Sequence, residues 1–160
     1  GNNFYSNIPL SRKNGYANYI EKLMDKMGVT EKVHFLGQLN EENMIGQYLK
    51  ANVFICPSAI ENSPNSVGEA QLLGTPLVAS YVGGTMDMVE NGVSGVLYRF
   101  EEVPLLAERV CELFADRDLC IRLSRQERMV AAKRHDKNVN AEMLIKIFNE
   151  SVLQSYSQNM

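Results

Sequence analysis

Residues 53–80 read Val53-Phe54-Ile55-Cys56-Pro57-Ser58-Ala59-Ile60-Glu61-Asn62-Ser63-Pro64-Asn65-Ser66-Val67-Gly68-Glu69-Ala70-Gln71-Leu72-Leu73-Gly74-Thr75-Pro76-Leu77-Val78-Ala79-Ser80, and this stretch decides the fold. Val53-Phe54-Ile55-Cys56 is apolar throughout, the pattern of a strand buried on both faces of a parallel sheet. Periodicity alone does not separate such a run from a buried helical turn, but the sequel does. A polar loop, Pro57 to Ser63, leads to an apolar-striped segment, Pro64 to Leu73. Gly74-Thr75-Pro76 stops that segment before a second apolar run, Leu77-Val78-Ala79-Ser80. Strand, crossover helix and strand in that order form a βαβ unit, so the chain is α/β with a parallel sheet.

Upstream, Tyr16 to Met27 places Ile20, Leu23, Met24 and Met27 on one helical face, and Gly28 is the natural stop. Val33-His34-Phe35-Leu36 predicts a short strand ending at Gly37. Asn40 then caps an acidic helix start, Glu41-Glu42, that runs to about Lys50. Downstream, Gly83-Gly84 opens a short helix near Met86 to Glu90, and the turn Asn91-Gly92 leads to a third apolar run, Gly95-Val96-Leu97-Tyr98. Everything after Glu101 reads as helix, in two stretches broken near His135-Asp136. In the last of these, Met143 and Ile147 form one apolar column and Leu144, Phe148 and Val152 another, a stripe that belongs to packing rather than to a cofactor. The chain is expected to be one domain over 1–160, with a helical tail over 101–160.

The composition agrees. A chain of 160 residues that is 45% apolar and 22% charged is an ordinary globular domain. Sixteen Lys and Arg against nineteen Asp and Glu leave a net charge of −3, which offers no general field for a phosphate backbone, so nucleic acid is not expected as a partner. No run of apolar residues is long enough to span a bilayer, and Gly1-Asn2-Asn3-Phe4-Tyr5 lacks the basic flank and apolar core of a secretory signal. A cytoplasmic protein is expected. Cys56, Cys111 and Cys120 are odd in number and show no metal-site spacing, so they are read as reduced and buried, and no metal site is predicted.

Chemistry concentrates between Pro57 and Ala70. In open parallel sheets ligands bind at the carboxyl ends of the strands, which is where this loop lies. Ser63 is a strong N-cap and Pro64 a preferred first helical residue, so the N–H groups of Asn65 and Ser66 would face outward at the positive end of the helix, ready for an anion. Glu61 precedes that end, and Glu69 follows about a turn and a half into the helix, roughly 8 to 9 Å along its axis. Such a pair is too far apart for an acid dyad. Glu69 nonetheless leans back toward the same ligand and suits vicinal hydroxyls of a sugar or ribose. Either carboxylate alone reads as a solvated charge. Their coincidence with an anion site at a sheet edge, and with close-approach glycines at Gly68 and Gly74, puts ligand binding ahead.

These residues resemble a family. Pro57-Ser58, Glu61, Glu69-Ala70, Gly74-Thr75-Pro76-Leu77-Val78-Ala79-Ser80, Gly83-Gly84, Val89, Asn91-Gly92 and Gly95 occur in the order found in the second half of the GT-B glycosyltransferases of family four, the group 1 glycosyltransferases. The likeness covers about residues 33 to 98. It implies a Rossmann-like three-layer donor domain and retaining transfer of a sugar from a UDP- or GDP-linked donor without a metal ion. It further implies that Glu61 meets the donor sugar at the reacting centre and that Glu69 holds the ribose. Ser58 and the backbone of Ser63, Pro64, Asn65 and Ser66 would meet the sugar and diphosphate, and Gly37 would lie near the nucleobase.

Departures accompany the likeness. Ser63-Pro64 stands where many members have an aromatic residue and glycine, and Gly68 where they have an aliphatic residue. The family's basic pair in the first βα unit has no counterpart, since Gly1-Asn2-Asn3 resembles the end of the second strand and Arg12-Lys13 sits in a polar loop. The resemblance therefore implies a donor-binding portion that is inactive alone, with a sugar, lipid-linked or polysaccharide acceptor bound through an N-terminal domain.

Other polar residues carry less. His34 and His135 have no nucleophile at useful spacing and read as structural or solvated. Arg122, Arg125 and Arg128 could touch an anionic membrane at the inner face, but Glu127, Asp116 and Asp118 dilute the patch and a solvated face reads better. Gly83-Gly84 reads as a tight strand-to-helix turn at the cleft edge. The rival readings are a non-catalytic nucleotide- or sugar-phosphate-binding α/β module and a GT-B epimerase or phosphorylase, the latter lacking its histidine and lysine constellations here.

Overall fold

In the computed structural model residues 15–157 are described, with side chains as far as residue 151. Gly1-Asn2-Asn3, Arg12 and Lys13 lie outside the described residues. The chain divides into two compact units at Met44–Ile45.

In the first unit, α1 (Gly15–Met27) buries Ala17 and Met24 and stops at Gly28, whose φ of 66° is left-handed, the conformation a helix-ending glycine supplies. A 3-10 turn (Thr30–Lys32) follows. Val33 is extended at φ −107° and ψ 124°, yet residues 33–36 are not a strand, which corrects that expectation. A strand exists only as part of a ladder, and this extended segment has no place in the three-stranded sheet of the described residues. Asn40 caps as predicted: its Oδ1 accepts the Asn43 N–H at 2.9 Å and opens α2 (Glu41–Lys50).

The second unit is built on a parallel sheet of β1 (Phe54–Cys56), β2 (Leu77–Ser80) and β3 (Val96–Tyr98), in the order β1-β2-β3, with Phe54 opposite Leu77 and Val78 opposite Val96. The crossovers are α3 (Asn65–Leu73) and, between β2 and β3, the single turn α4 (Thr85–Met88). Alternation along the strands sorts the core into two layers. Cys56, Leu77, Ala79 and Leu97 pack with Val67, Met88 and Val89 on one face, while Val78, Val96 and Tyr98 pack with Leu113 and Leu123 on the other. All four residues of β2 are buried. β1 is less enclosed than its composition suggests: Ile55 is 40% exposed, because α5 (Val103–Ala115) packs over β2 and β3 and leaves that face of β1 open.

The tail holds three helices rather than two: α5, α6 (Arg117–Arg134) and α7 (Lys137–Ser157). The additional break is at Asp116, which is extended and accepts the Leu119 N–H at 2.8 Å, so this exposed residue is also an N-cap. Met143, Leu144, Ile147 and Phe148 of α7 are exposed. All three cysteines are free, but only Cys56 is buried; Cys120 is half-buried and Cys111 is exposed.

Candidate functional site

The loops that leave β1 and β2 are joined to one another, so the parallel pairing runs on past the strands. Ser80 Oγ donates to the Ser58 carbonyl at 2.5 Å, the Gly84 N–H to the Glu61 carbonyl at 3.3 Å, and Ser63 Oγ to Met88 Sδ at 3.7 Å. The Gly83-Gly84 doublet is the seat of the Glu61 loop. A Cβ on Gly83 would overlap the Glu61 carbonyl, and one on Gly84 would overlap the Asn62 carbonyl. The doublet thus does more than turn the chain, and its partners lie too far away in sequence for a local window to reveal them.

Ser63 is not the N-cap. Pro64 takes that place, extended at φ −70° and ψ 108°, and its carbonyl accepts the N–H groups of Val67 and Gly68 at 3.1 and 3.3 Å. Two things displace Ser63: its hydroxyl is turned toward the Met88 sulfur, and proline's fixed φ already starts the helix one residue later. Proline has no side-chain acceptor, so nothing folds back over the first turn. The N–H groups of Asn65 and Ser66 have no acceptor among the described residues. An uncapped helix start leaves N–H donors unanswered and is favourable for an incoming anion.

The two carboxylates differ in setting. Glu61 is half-buried and its carboxylate has no hydrogen-bond or ion-pair partner among the described residues. Glu69 is exposed, and its Oε2 accepts the Tyr48 hydroxyl at 3.0 Å. Burial, and then this bond to Glu69, pushes the Tyr48 phenol well above its ordinary value. Asn65 is exposed, Ser66 half-buried and Pro64 buried. Ser58 offers its carbonyl to the scaffold, and its hydroxyl lies 3.7 Å from Cys56 Sγ. Gly37 belongs to the first unit and holds a left-handed φ of 68°.

Behind α3, Met88 is held by its carbonyl as well as by its sulfur. Gln71, fully buried, donates to the carbonyls of Met88 and Ser94, and Arg134 donates to the Met88 carbonyl and to Gln71 Oε1. Burial lowers the Arg134 pKa from its ordinary value. Gly68 has a steric reason: a Cβ there would come within 2.8 Å of His135 Nε2 and 3.4 Å of Met88 Cε. His135, itself exposed, thus stands where an aliphatic side chain at position 68 would point. Arg122, Arg125 and Arg128 are all exposed, as a solvated face requires, but Glu127 does not share that face. Arg128 Nε and Nη2 donate to the Leu73 carbonyl at 3.1 and 2.7 Å, and Glu127 is 0% exposed. Among the described residues no helix is long and apolar enough to cross a membrane.

Fold and site together define an α/β domain that presents an open helix start and two carboxylates at the carboxyl edge of a parallel sheet. Residues 13–136 match the family of glycosyl transferases group 1, and the chain belongs to that family. It is 30% identical over 129 residues to a D-inositol 3-phosphate glycosyltransferase of Corynebacterium urealyticum, covering 81% of this chain and 30% of that protein. Among solved structures it is similar to a sucrose-phosphate synthase from Thermosynechococcus elongatus, with a TM-score of 0.79 at 24% identity over 91% of this chain and 37% of that one. It is also similar to HepE of Anabaena in complex with UDP-glucose, with a TM-score of 0.76 at 24% identity over 85% of this chain and 38% of that one. The α/β reading and its GT-B form hold. The chain spans about 30% of the length of the curated relative.

Proposed function

We propose that this chain binds a nucleotide-diphosphate sugar and supplies the donor side of a retaining glycosyltransferase that uses no metal ion. The observation that carries the reading is the open first turn of α3, flanked by Glu61 in the preceding loop and Glu69 within the helix. The diphosphate would accept from the N–H groups of Asn65 and Ser66. These donors are preorganised where negative charge grows as the sugar departs, so they bind the transition state more tightly than the ground state. Glu61 would stand beside the sugar and stabilise positive charge at the reacting carbon. Glu69 would hold the ribose hydroxyls, and Ser58 would meet the sugar and diphosphate. UDP-glucose in the HepE complex supports a nucleotide-sugar as the ligand class. The acceptor would be a sugar, lipid-linked or polysaccharide hydroxyl, and the enzyme cytoplasmic.

Calorimetric titration with UDP- and GDP-sugars tests the binding step. Glu69→Ala is expected to weaken the nucleotide about tenfold or more, the worth of a charge-assisted hydrogen-bond pair. In the transferring protein Glu61→Ala is expected to lower kcat by about 100-fold or more while the nucleotide Kd moves little. Binding without transfer by the whole protein would favour the non-catalytic module, full turnover by Glu61→Ala would remove that residue from the chemistry, and inversion of the anomeric centre in the product would overturn the retaining assignment.

A further inference from the structure

We infer that Tyr48 is a positioning residue for nucleotide binding, its phenol fixing one oxygen of Glu69 so that the other is presented to the ribose hydroxyls. The inference rests on the reading of Glu69 given above. Tyr48 lies in the last turn of α2 and is 5% exposed, whereas Glu69 stands on the surface of α3. The tyrosine is held at both ends. Its ring packs edge-on against Phe54 with centroids 5.3 Å apart, and its carbonyl accepts Thr75 Oγ1 at 2.9 Å, Thr75 itself being buried just after the end of α3. A rigid donor is thus attached to the strand that leads into the candidate site and to the turn that ends its helix.

The hydroxyl has one proton to give, and at 3.0 Å it gives it to Glu69 Oε2. Burial keeps that proton in place across the neutral range. Oε1 has no hydrogen-bond partner among the described residues. A glutamate free on a helix surface samples many rotamers and must be ordered when a ligand arrives. One tied by a buried phenol has lost that freedom beforehand, which is the gain that preorganisation supplies. The division of labour between the two oxygens also suits a vicinal diol. A single carboxylate oxygen aimed at two adjacent hydroxyls needs its plane fixed, and the Tyr48 bond fixes it.

The test uses Tyr48→Phe, which keeps the ring against Phe54 and removes only the hydroxyl, together with Glu69→Ala and the double variant. The probes are UDP, GDP and their 2′,3′-dideoxy analogues, titrated into the protein. Tyr48→Phe is expected to weaken the ribonucleotide about three- to tenfold. The dideoxy analogue should bind unchanged, and the substitution should add nothing in the Glu69→Ala background. A ribonucleotide affinity that Tyr48→Phe leaves intact while Glu69→Ala lowers it overturns the inference alone. Equal loss for the ribo and dideoxy nucleotides marks a structural role and also overturns it. If Glu69→Ala leaves the ribonucleotide affinity untouched, the reading of Glu69 falls and takes the inference with it.

Discussion

The two ends of α3 are built on opposite plans. At its C-terminus nearly every carbonyl is answered. The Gly74 and Thr75 N–H groups bond the Gln71 and Ala70 carbonyls at 3.0 and 2.9 Å, the paired closure that a left-handed glycine makes possible. Helix α6 adds Arg128 on the Leu73 carbonyl and Ser124 Oγ on the Gly74 carbonyl at 2.7 Å. The N-terminus has no side-chain cap and leaves the Asn65 and Ser66 N–H groups without acceptors among the described residues. One end is finished by the protein and the other is left for something else to finish. On the proposed function, the contrast would separate architecture from function within one nine-residue helix.

The largest effect should come from disturbing the seat of the open end. Gly84→Ala would drive a Cβ into the Asn62 carbonyl, and the loop carrying Glu61 must then move. If Glu61 has the proposed role beside the donor sugar, a displacement on the order of 1 Å costs about 100-fold in rate, and kcat/KM in the transferring protein should fall by about that factor. The melting temperature should fall less than for a core deletion, because the doublet lies on a loop. Unchanged kcat/KM in a folded Gly84→Ala protein would show that the glycine pair does not position Glu61.

How much of this was legible in sequence follows from the range of each interaction. The βαβ unit was readable because its signals are local: an apolar run, a proline at the helix start, a glycine at its end. Glu61 and Glu69 were visible for the same reason. The Gly83-Gly84 seat was not, since it joins two loops across the sheet and appears in sequence only as a turn. Glu127 misled more completely. It reads as one charge among arginines, yet it bonds the Leu77 N–H from a position fifty residues away, and no helical periodicity in so polar a segment marks it as buried. Asp116 is the surface charge it reads as, and its second role as a cap shows only through its N–H partner, because caps and surface charges use the same residue type.

The closed end supplies a pH test of intermediate size. Burial pushes the Glu127 carboxyl from 4.5 up to about 8, against a smaller opposing effect of the Leu77 N–H, and its Oε2 has no hydrogen-bond partner among the described residues. The folded protein therefore holds a proton that the unfolded chain releases between those two values. This contribution is fully present below about pH 4.5 and is lost as pH rises through about 8. Relative to Glu127→Gln, the natural chain should lose stability across that window with a slope of at most about 1.4 kcal/mol per pH unit, the limit for one proton. Urea unfolding of both proteins at pH 5, 7 and 9 measures it. A constant difference across the series would mean that Glu127 does not titrate in the window.

The smallest expected effect sharpens the comparison most, because it asks whether the open end is truly uncapped. Were Ser63 the N-cap, Ser63→Ala would cost about 1 kcal/mol, as such caps do. The structure instead gives the cap to Pro64 and turns the Ser63 hydroxyl to a thioether sulfur at 3.7 Å, a weak acceptor. Removing that contact leaves Met88 held by Gln71 and Arg134 through its carbonyl, so the local scaffold survives. Ser63→Ala should therefore cost no more than a few tenths of a kcal/mol in urea unfolding, below the penalty of a lost cap. A cost near 1 kcal/mol would show that the hydroxyl caps the helix in solution. The first-turn N–H groups would then be partly spoken for before any diphosphate arrived, and the difference between the two ends of α3 would shrink accordingly.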